Sequence, residues 1–160
     1  MNDELRELYQ EVIIDHGRHP RNFHKLDEYS HHQQGYNPLC GDQLELFIKL
    51  NESSEPARIE DIAFLGQGCA ISMASASLLT ELLKGKTVAE AQALFGQFHR
   101  LLTGPEENSP PALGKLRVLA GVREFPSRIK CATLAWHALK GALAQESENH
   151  EDAAGWVSTE

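Results

Sequence analysis

The residues of this chain best equipped for chemistry are its three cysteines, Cys40, Cys69 and Cys131. Each is predicted to lie where one element of secondary structure gives way to another. Cys40 falls in a turn that enters a strand, Cys69 in a glycine-rich turn that opens a helix, and Cys131 in the first turn of the last helix. Because the N–H groups at a helix N-terminus favour thiolate over thiol, this placement favours a metal-binding or reactive role. The alternative is that the cysteines are small buried hydrophobes.

A carboxylate accompanies the first cysteine, since Asp42 follows Cys40 by two residues. In an extended segment, residues two apart point to the same side, so these two side chains can share one ligand. Together with Cys69 and Cys131 they form a set of three thiolates and one carboxylate. Sulfur-rich sets of four suit tetrahedral Zn²⁺, and thiolates also hold iron–sulfur clusters. The sequence therefore predicts a metal site and leaves open which of the two it holds.

The charge of such a site requires compensation. Three thiolates and one carboxylate carry four negative charges, of which a zinc ion neutralises two. Arg128 and Lys130 lie beside Cys131 and are candidates to offset the remainder. The histidines offer a weaker alternative, because five of them fall in polar, loop-like sequence where we expect solvated or capping roles: His16, His19, His24, His31 and His32.

The composition describes one globular domain followed by an acidic tail. The chain has 160 residues, of which 41% are hydrophobic and 24% charged, and its net charge is −8. Residues 145–160 contain five acidic side chains and neither Lys nor Arg, so we expect them to be disordered and residues 1–144 to form the single domain. An acidic chain without a basic stripe is a poor candidate for binding nucleic acid.

The predicted cellular setting is the cytoplasm. An odd number of cysteines argues against a disulfide framework. No run of about 18 apolar residues predicts a membrane span, and the opening residues Met1 to Glu4 do not resemble a signal peptide. We therefore expect no membrane association.

Hydrophobic periodicity predicts the elements that must position the cysteines. Apolar residues recur at helical spacing over 3–17, whereas 43–50 and 57–65 alternate as half-buried strands, with a further short strand near 30–37. Helical patterns then continue to the end of the domain, at 70–84, 88–102, 112–120 and 127–145. The order of elements predicts an α+β fold, a three-stranded antiparallel sheet with helices packed on one face.

Segments around the three cysteines resemble the motifs of the IscU/NifU-like family of iron–sulfur cluster assembly proteins. They are Asn37-Pro38-Leu39-Cys40-Gly41-Asp42, Gly66-Gln67-Gly68-Cys69-Ala70-Ile71-Ser72 and Arg128-Ile129-Lys130-Cys131-Ala132-Thr133-Leu134-Ala135-Trp136. The first helix and following loop of the family resemble Leu8-Tyr9-Gln10, Asp15-His16 and Pro20-Arg21-Asn22-Phe23. The resemblance covers about residues 5–143 and implies the SufE/NifU-like fold.

Within that family the chain resembles the SufU branch. About residues 101–122 form an insertion that IscU scaffolds lack, and Lys130 stands where IscU scaffolds carry a histidine ligand. The chaperone-recognition segment Leu-Pro-Pro-Val-Lys of IscU is also absent before Cys131, where the sequence is Phe125-Pro126-Ser127-Arg128-Ile129-Lys130. This departure argues against dedicated handling by an Hsp70-type chaperone.

The resemblance implies a zinc-dependent sulfur acceptor that works with the cysteine desulfurase SufS and with downstream Suf-type assembly proteins. By resemblance, Cys40 would be the catalytic residue that takes the persulfide sulfur. The zinc ligands would be Cys40, Asp42, Cys69 and Cys131.

Three further residues would support that role. Gly41 would let the Cys40 loop move away from the metal, and Arg128 and Lys130 would either hold the anionic persulfide or balance the charge of the site. Two alternatives remain. The same four ligands could carry iron, as a [2Fe–2S] cluster that is assembled and passed on, or the chain could be a binding module with a purely structural zinc.

Overall fold

The computed structural model describes residues 3–104, 110–144 and 157–158, and an antiparallel sheet runs through its centre. Its strands are β1 (His31–Asn37), β2 (Asp42–Asn51) and β3 (Arg58–Gln67). Consecutive strands pair with one another, in the order β3-β2-β1. The predicted three-stranded antiparallel sheet is therefore confirmed, including the short strand that the sequence indicated only near 30–37.

A fourth strand extends the sheet at its β1 edge. Strand β4 (Val157–Ser158) pairs in parallel with Gly35 and Tyr36 of β1. These two residues belong to the segment 145–160 for which the sequence predicts disorder. The rest of that segment lies outside the described residues.

The described α-helices are α1 (Asp3–Arg18), α2 (Ala70–Leu83), α3 (Val88–Thr103) and α4 (Pro126–Leu143). Two of them pack on one face of the sheet, α2 against β3 and α4 against β1 and β2, while α1 packs on α2 and α3 on α4. The side chains that β2 directs at this helical layer, Leu44, Leu46 and Ile48, are no more than 2% exposed. None of the described helices has the length and apolar character needed to cross a bilayer.

The opposite face of the sheet is also covered, by the segment between α1 and β1. Phe47, which interrupts the polar face of β2 in the sequence, is 1% exposed and packs with Ala63, Leu26 and Tyr29. Burying one phenylalanine side chain contributes about 1.5–3 kcal/mol. This small second core holds the loop that precedes β1 against the sheet.

The helix predicted near 112–120 is a 3₁₀ segment, Pro111–Val122, interrupted at Gly114, where φ is +55°. A 3₁₀ helix repeats every three residues, and the buried side chains of this segment follow that spacing. They are Leu113, Leu116, Leu119 and Val122. Of the loop predicted at 105–111, residues 105–109 lie outside the described part of the chain.

The start of α4 corrects one prediction about Cys131. Proline is favoured at the first helical position, and α4 begins at Pro126. Cys131 is therefore the sixth residue of the helix and lies in its second turn. The prediction that it occupies the first turn is wrong, and the helix N-terminus has little influence on its thiol because that influence is confined to the first turn.

His16 provides a second correction. It lies within α1 and is 1% exposed, whereas the sequence placed it in a polar loop. Its Nδ1 is 2.7 Å from Oγ of Ser77, and the same oxygen accepts a hydrogen bond from the backbone N–H of Arg21 at 2.8 Å. Burial lowers the pKa of His16, so the imidazole is neutral in the folded protein at pH 7.

This lowered pKa predicts a loss of stability in mild acid. The unfolded chain binds a proton at His16 more readily than the folded chain, so the free energy of unfolding falls as the pH drops below about 6.5. His16→Gln keeps a polar group beside Ser77 and is expected to make that decline shallower. Urea unfolding at several pH values between about 7.5 and about 5.5 measures this decline, because the range spans the ordinary pKa of histidine. His24→Gln, at an exposed site, is the control, and equal slopes for His16→Gln and the unsubstituted protein would contradict the prediction.

Candidate metal centre

The turn between β1 and β2 presents Cys40 and Asp42. Asn37 and Asp42 face each other as the last pair of the ladder, and residues 38–41 close the turn. Gly41 donates its N–H to the carbonyl oxygen of Asn37 at 2.8 Å and has a φ of +74°. Glycine reaches this left-handed conformation at little cost. The turn leaves Cys40 exposed and Asp42 1% exposed.

The turn between β3 and α2 presents Cys69. Cys69 is the N-cap of α2, and its Sγ accepts a hydrogen bond from the N–H of Ser72 at 3.4 Å. Its own N–H donates to Oδ1 of Asp42 at 2.9 Å. A Cβ at Gly68 would lie 2.5 Å from the same oxygen. A glycine at position 68 therefore lets the Asp42 carboxylate approach this turn.

Helix α4 contributes Cys131, which is 3% exposed. Its Sγ lies 3.3 Å from Sγ of Cys40, and Nδ2 of Asn37 donates to it at 3.5 Å. One ligand atom each from Cys40, Asp42 and Cys131 lies within 4.8 Å of the other two. We call these three residues the donor group.

Cys69 borders the donor group without belonging to it. Its Sγ is 3.8 Å from Oδ2 of Asp42, whereas the three-residue cluster within 4.8 Å does not include it. Of the four predicted ligands, the structure therefore brings three together and places the fourth in contact with one of them.

The chemistry of the donor group fits a soft divalent cation. Burial raises the pKa of the Cys131 thiol, and hydrogen bonding with Cys40 and Asp42 and the charge of Cys69 raise it further. Four groups that carry negative charge when deprotonated thus lie close together, and two of them, Asp42 and Cys131, are buried, so a cation would stabilise the site. Two sulfur ligands of a tetrahedral zinc lie about 3.8 Å apart, because each Zn–S bond is about 2.3 Å. The 3.3 Å between Cys40 and Cys131 is close to that spacing.

The two predicted supporting cations differ in their surroundings. The Arg128 guanidinium lies 4.5 Å from the ring centroid of Phe125. Burial raises the pKa of half-buried Tyr9, and the charge of Cys69 adds to this effect. The charge of Arg128 lowers the same pKa. Within the described part of the chain, Lys130 makes no hydrogen bond or ion pair with the donor group.

Asn37 is a site residue whose role the sequence did not reveal. It is fully buried. Its Nδ2 donates to Cys131, and its Oδ1 accepts the N–H of Leu39 at 3.1 Å. The available signal was the Asn37-Pro38 pair, since an asparagine that opens a turn commonly bonds to the backbone two residues on.

Replacing Asn37 is expected to weaken both the turn and the metal site. Asn37→Ala removes the acceptor of the Leu39 N–H, a partly buried hydrogen bond of the kind that contributes about 0.5–1.5 kcal/mol, and removes the donor to Cys131. Asn37→Asp keeps the acceptor for Leu39 and removes only the donor. We expect both variants to bind zinc more weakly and Asn37→Ala to lose more stability, as measured by chelator competition and urea unfolding. Equal stability of Asn37→Ala and the unsubstituted protein would count against this role.

Similarity to known proteins extends over most of the chain. The sequence profile described as the NifU-like N terminal domain matches residues 8–132. The chain is 43% identical over 144 residues to a Streptococcus pyogenes protein named iron–sulfur cluster assembly scaffold protein IscU, covering 90% of this chain and 87% of that one. It is 42% identical over 145 residues to Bacillus subtilis zinc-dependent sulfurtransferase SufU, covering 91% and 95%.

A solved structure shows the same fold. The crystal structure of a putative iron–sulfur cluster assembly scaffold protein for the SUF system from Fervidobacterium islandicum AW-1 matches with a TM-score of 0.74 and 29% identity, covering 86% of this chain and 98% of that one. The profile match and the two curated relatives span most of the chain. The chain therefore belongs to the NifU-like N-terminal domain family.

Proposed function

We propose that this chain is a SufU-type sulfurtransferase of iron–sulfur cluster assembly, which binds zinc and accepts persulfide sulfur on Cys40 from a cysteine desulfurase. One observation carries the proposal: Cys40 is the exposed member of the donor group, whereas Asp42 and Cys131 are buried. A partner can therefore reach Cys40 while the other two donors stay within the fold. Cluster assembly is also the role stated in the name of the streptococcal relative, and zinc-dependent sulfur transfer is stated in that of the Bacillus relative.

Two thiols are exposed, and their surroundings favour Cys40 as the acceptor. The Sγ of Cys69 is occupied as the N-cap of α2, which ties it to the end of a helix. Cys40 lies in a four-residue turn next to Gly41, whose built Cβ would meet no atom within 4 Å. The space beside Gly41 and the exposure of Cys40 support a turn with room to move.

The transfer step follows from thiol–disulfide chemistry. The Cys40 thiolate attacks the outer sulfur of the desulfurase persulfide, and a new S–S bond forms. The old S–S bond breaks, and its electron pair leaves with the desulfurase cysteine as a thiolate. The transferred sulfur becomes the outer atom of a persulfide on Cys40 and keeps the proton or negative charge that it carried before. Atoms and electrons therefore balance without an added reductant.

A bound zinc would be held by Cys40, Asp42, Cys69 and Cys131. Its contribution would be to keep these thiols deprotonated, because a coordinating thiol loses its proton. A Cys40 thiolate that held the metal would be a weaker nucleophile, so Cys40 would have to leave the donor group before it reacts. Arg128 is the candidate cation to meet the anionic persulfide of the partner, because its charge and that of Cys69 both act on Tyr9.

A second candidate is a scaffold for a [2Fe–2S] cluster. The same three sulfurs and one carboxylate are donors that iron accepts, and the streptococcal relative at 43% identity is named a scaffold. The Asp42 carboxylate would make such a cluster more labile than an all-thiolate site, which suits a cluster that is passed on.

The content of metal and sulfide in protein purified without oxygen tests the two candidates. About one zinc per chain and no visible absorbance would support the sulfurtransferase. Iron with an equal amount of sulfide and visible absorbance would support the scaffold instead. Cys131→Ala is the matched variant and should lack the metal in either case. Protein without any metal would contradict the assignment of ligands.

A further inference from the structure

A groove of about 530 Å³ lies away from the cysteines, between α3 and α4. We propose that this groove binds an organic anion with a planar aromatic body. Its nearest residue on α4, His137, is six positions beyond Cys131, or about 9 Å along the helix axis. The groove is thus a separate site, and the proposal does not depend on the function proposed for Cys40.

The charge of the groove indicates an anion. Four basic side chains line it, and none of its described lining residues is acidic, although the chain as a whole has 23 Asp and Glu against 15 Lys and Arg. Neither Arg100 nor Lys140 forms an ion pair with any residue that the structure describes. Among the described residues, nothing therefore compensates the charges of these two cations that line the groove. The basic residues are His99, Arg100, His137 and Lys140.

The wall of the groove indicates an aromatic body. The ring of Phe95 stacks on Trp136 with centroids 5.8 Å apart and meets His137 edge-on at 5.6 Å. Leu139 and Leu143 complete the apolar surface. Planar rings pack well on such a combination of aromatic face and edge, and cavities of about 300–1,000 Å³ suit small ligands.

Gly96 suggests that the space is kept open. It lies in the interior of α3, where glycine is less favourable than alanine. A Cβ built on Gly96 would meet only Nη1 of Arg100, at an ordinary contact distance of 3.6 Å. Packing therefore does not require a glycine here. The missing side chain instead leaves the floor of the groove accessible beside the Arg100 guanidinium.

These observations define the ligand by its chemistry. Its ring would lie on Phe95 and His137, and its anionic group would meet Arg100 and Lys140. Mononucleotides and aromatic carboxylates share this chemistry. Anilinonaphthalene sulfonate carries the same two features and is a practical probe.

The test uses the whole 160-residue chain with Trp156→Phe, which leaves Trp136 as its one tryptophan. Because Trp136 stacks on Phe95, we expect saturable binding of the probe with energy transfer from Trp136. Adenosine monophosphate or benzoate should displace the probe, and which of them does so identifies the source of the anion. Arg100→Gln with Lys140→Gln should weaken binding at least about tenfold, the loss expected for charge-assisted hydrogen bonds.

Two further variants make the outcome decisive. Gly96→Leu should abolish binding and leave the melting temperature unchanged or higher, because leucine favours the helix and fills the groove. Arg18→Gln with Lys25→Gln changes the charge equally at exposed sites away from the groove and should leave binding unchanged. The proposal is overturned if both double variants bind alike, if Gly96→Leu binds normally, or if neither natural anion displaces the probe.

Discussion

Cys40→Ala is expected to fold like the unsubstituted protein and to accept sulfur at least about 100-fold less, down to background. The fold should survive because Cys40 is exposed in a turn, so its side chain buries little apolar surface. The backbone of the turn is set by Asn37 and Gly41, which remain. Acceptance should fail because alanine offers no nucleophile for the outer sulfur of a persulfide.

The measurement is a single turnover with a cysteine desulfurase charged with cysteine that carries radioactive sulfur. Non-reducing electrophoresis follows the label, and mass spectrometry of peptides locates the added sulfur atom. Cys40→Ser is the matched variant, because a hydroxyl of similar size cannot form a persulfide. Circular dichroism and melting temperature establish that both variants are folded.

The outcomes separate the proposed functions. Label on Cys40 in the unsubstituted protein, absent from both variants, is the expected result. Label that persists in Cys40→Ala on Cys69 or Cys131 would contradict the choice of acceptor. A protein that binds zinc tightly but takes up no label on any cysteine would be a binding module with a structural zinc.

The elements predicted correctly are those whose burial follows a simple period. Leu44, Leu46 and Ile48 alternate in the sequence and are all buried beneath the helices. Strand β1 gave a weaker signal because its inward positions are polar or small. Gly35, for example, lies under α4 with Leu134 Cδ1 3.2 Å from where a Cβ would be. Where a buried position of a strand is a glycine beneath a helix, the sequence cannot show the alternation of apolar and polar residues that indicates a strand.

The site was predicted where neighbours in sequence are neighbours in space. Cys40 and Asp42 follow the two-residue period of extended chain, and the structure places both in the donor group. The sequence predicted the turn in which Cys69 opens a helix, but the partner of its Sγ was not predictable, because this atom can either cap α2 or approach the other donors. In the structure it caps the helix. The contact of Asn37 with Cys131 joins residues 94 positions apart, which no local period reveals.

Removing zinc is expected to lower the melting temperature by roughly 10 °C. A ligand present at about 1,000 times its Kd stabilises the folded state by about 4 kcal/mol, and each kcal/mol shifts the melting temperature of a domain of this size by about 2–4 °C. The physical cause is the crowding of buried Asp42 and Cys131 with Cys40. Without a cation, these acidic side chains must take up protons to avoid the repulsion between their negative charges.

The ligand variants extend this prediction. Cys131→Ala should bind no zinc, melt near the temperature of the zinc-free protein and show no further shift when a chelator is added. Asp42→Asn keeps an acceptor for the N–H of Cys69 but removes the negative charge, so it should bind zinc more weakly and show a smaller shift. Cys69→Ala loses both a donor and the N-cap of α2. Its loss of stability should therefore exceed that of zinc removal alone by about 1 kcal/mol, the usual value of a cap.

Calorimetry at fixed protein concentration, with and without a chelator and with added zinc, measures these shifts. If the metal contributes to folding, the zinc-loaded protein has the higher melting temperature in each comparison, because a ligand that binds only the folded state raises that temperature. Equal melting temperatures for the zinc-loaded and zinc-free protein would show that the donor group holds no stabilising metal. In that case the 3.3 Å contact between Cys40 and Cys131 would be a packing contact, and Cys40 would react as a free thiol.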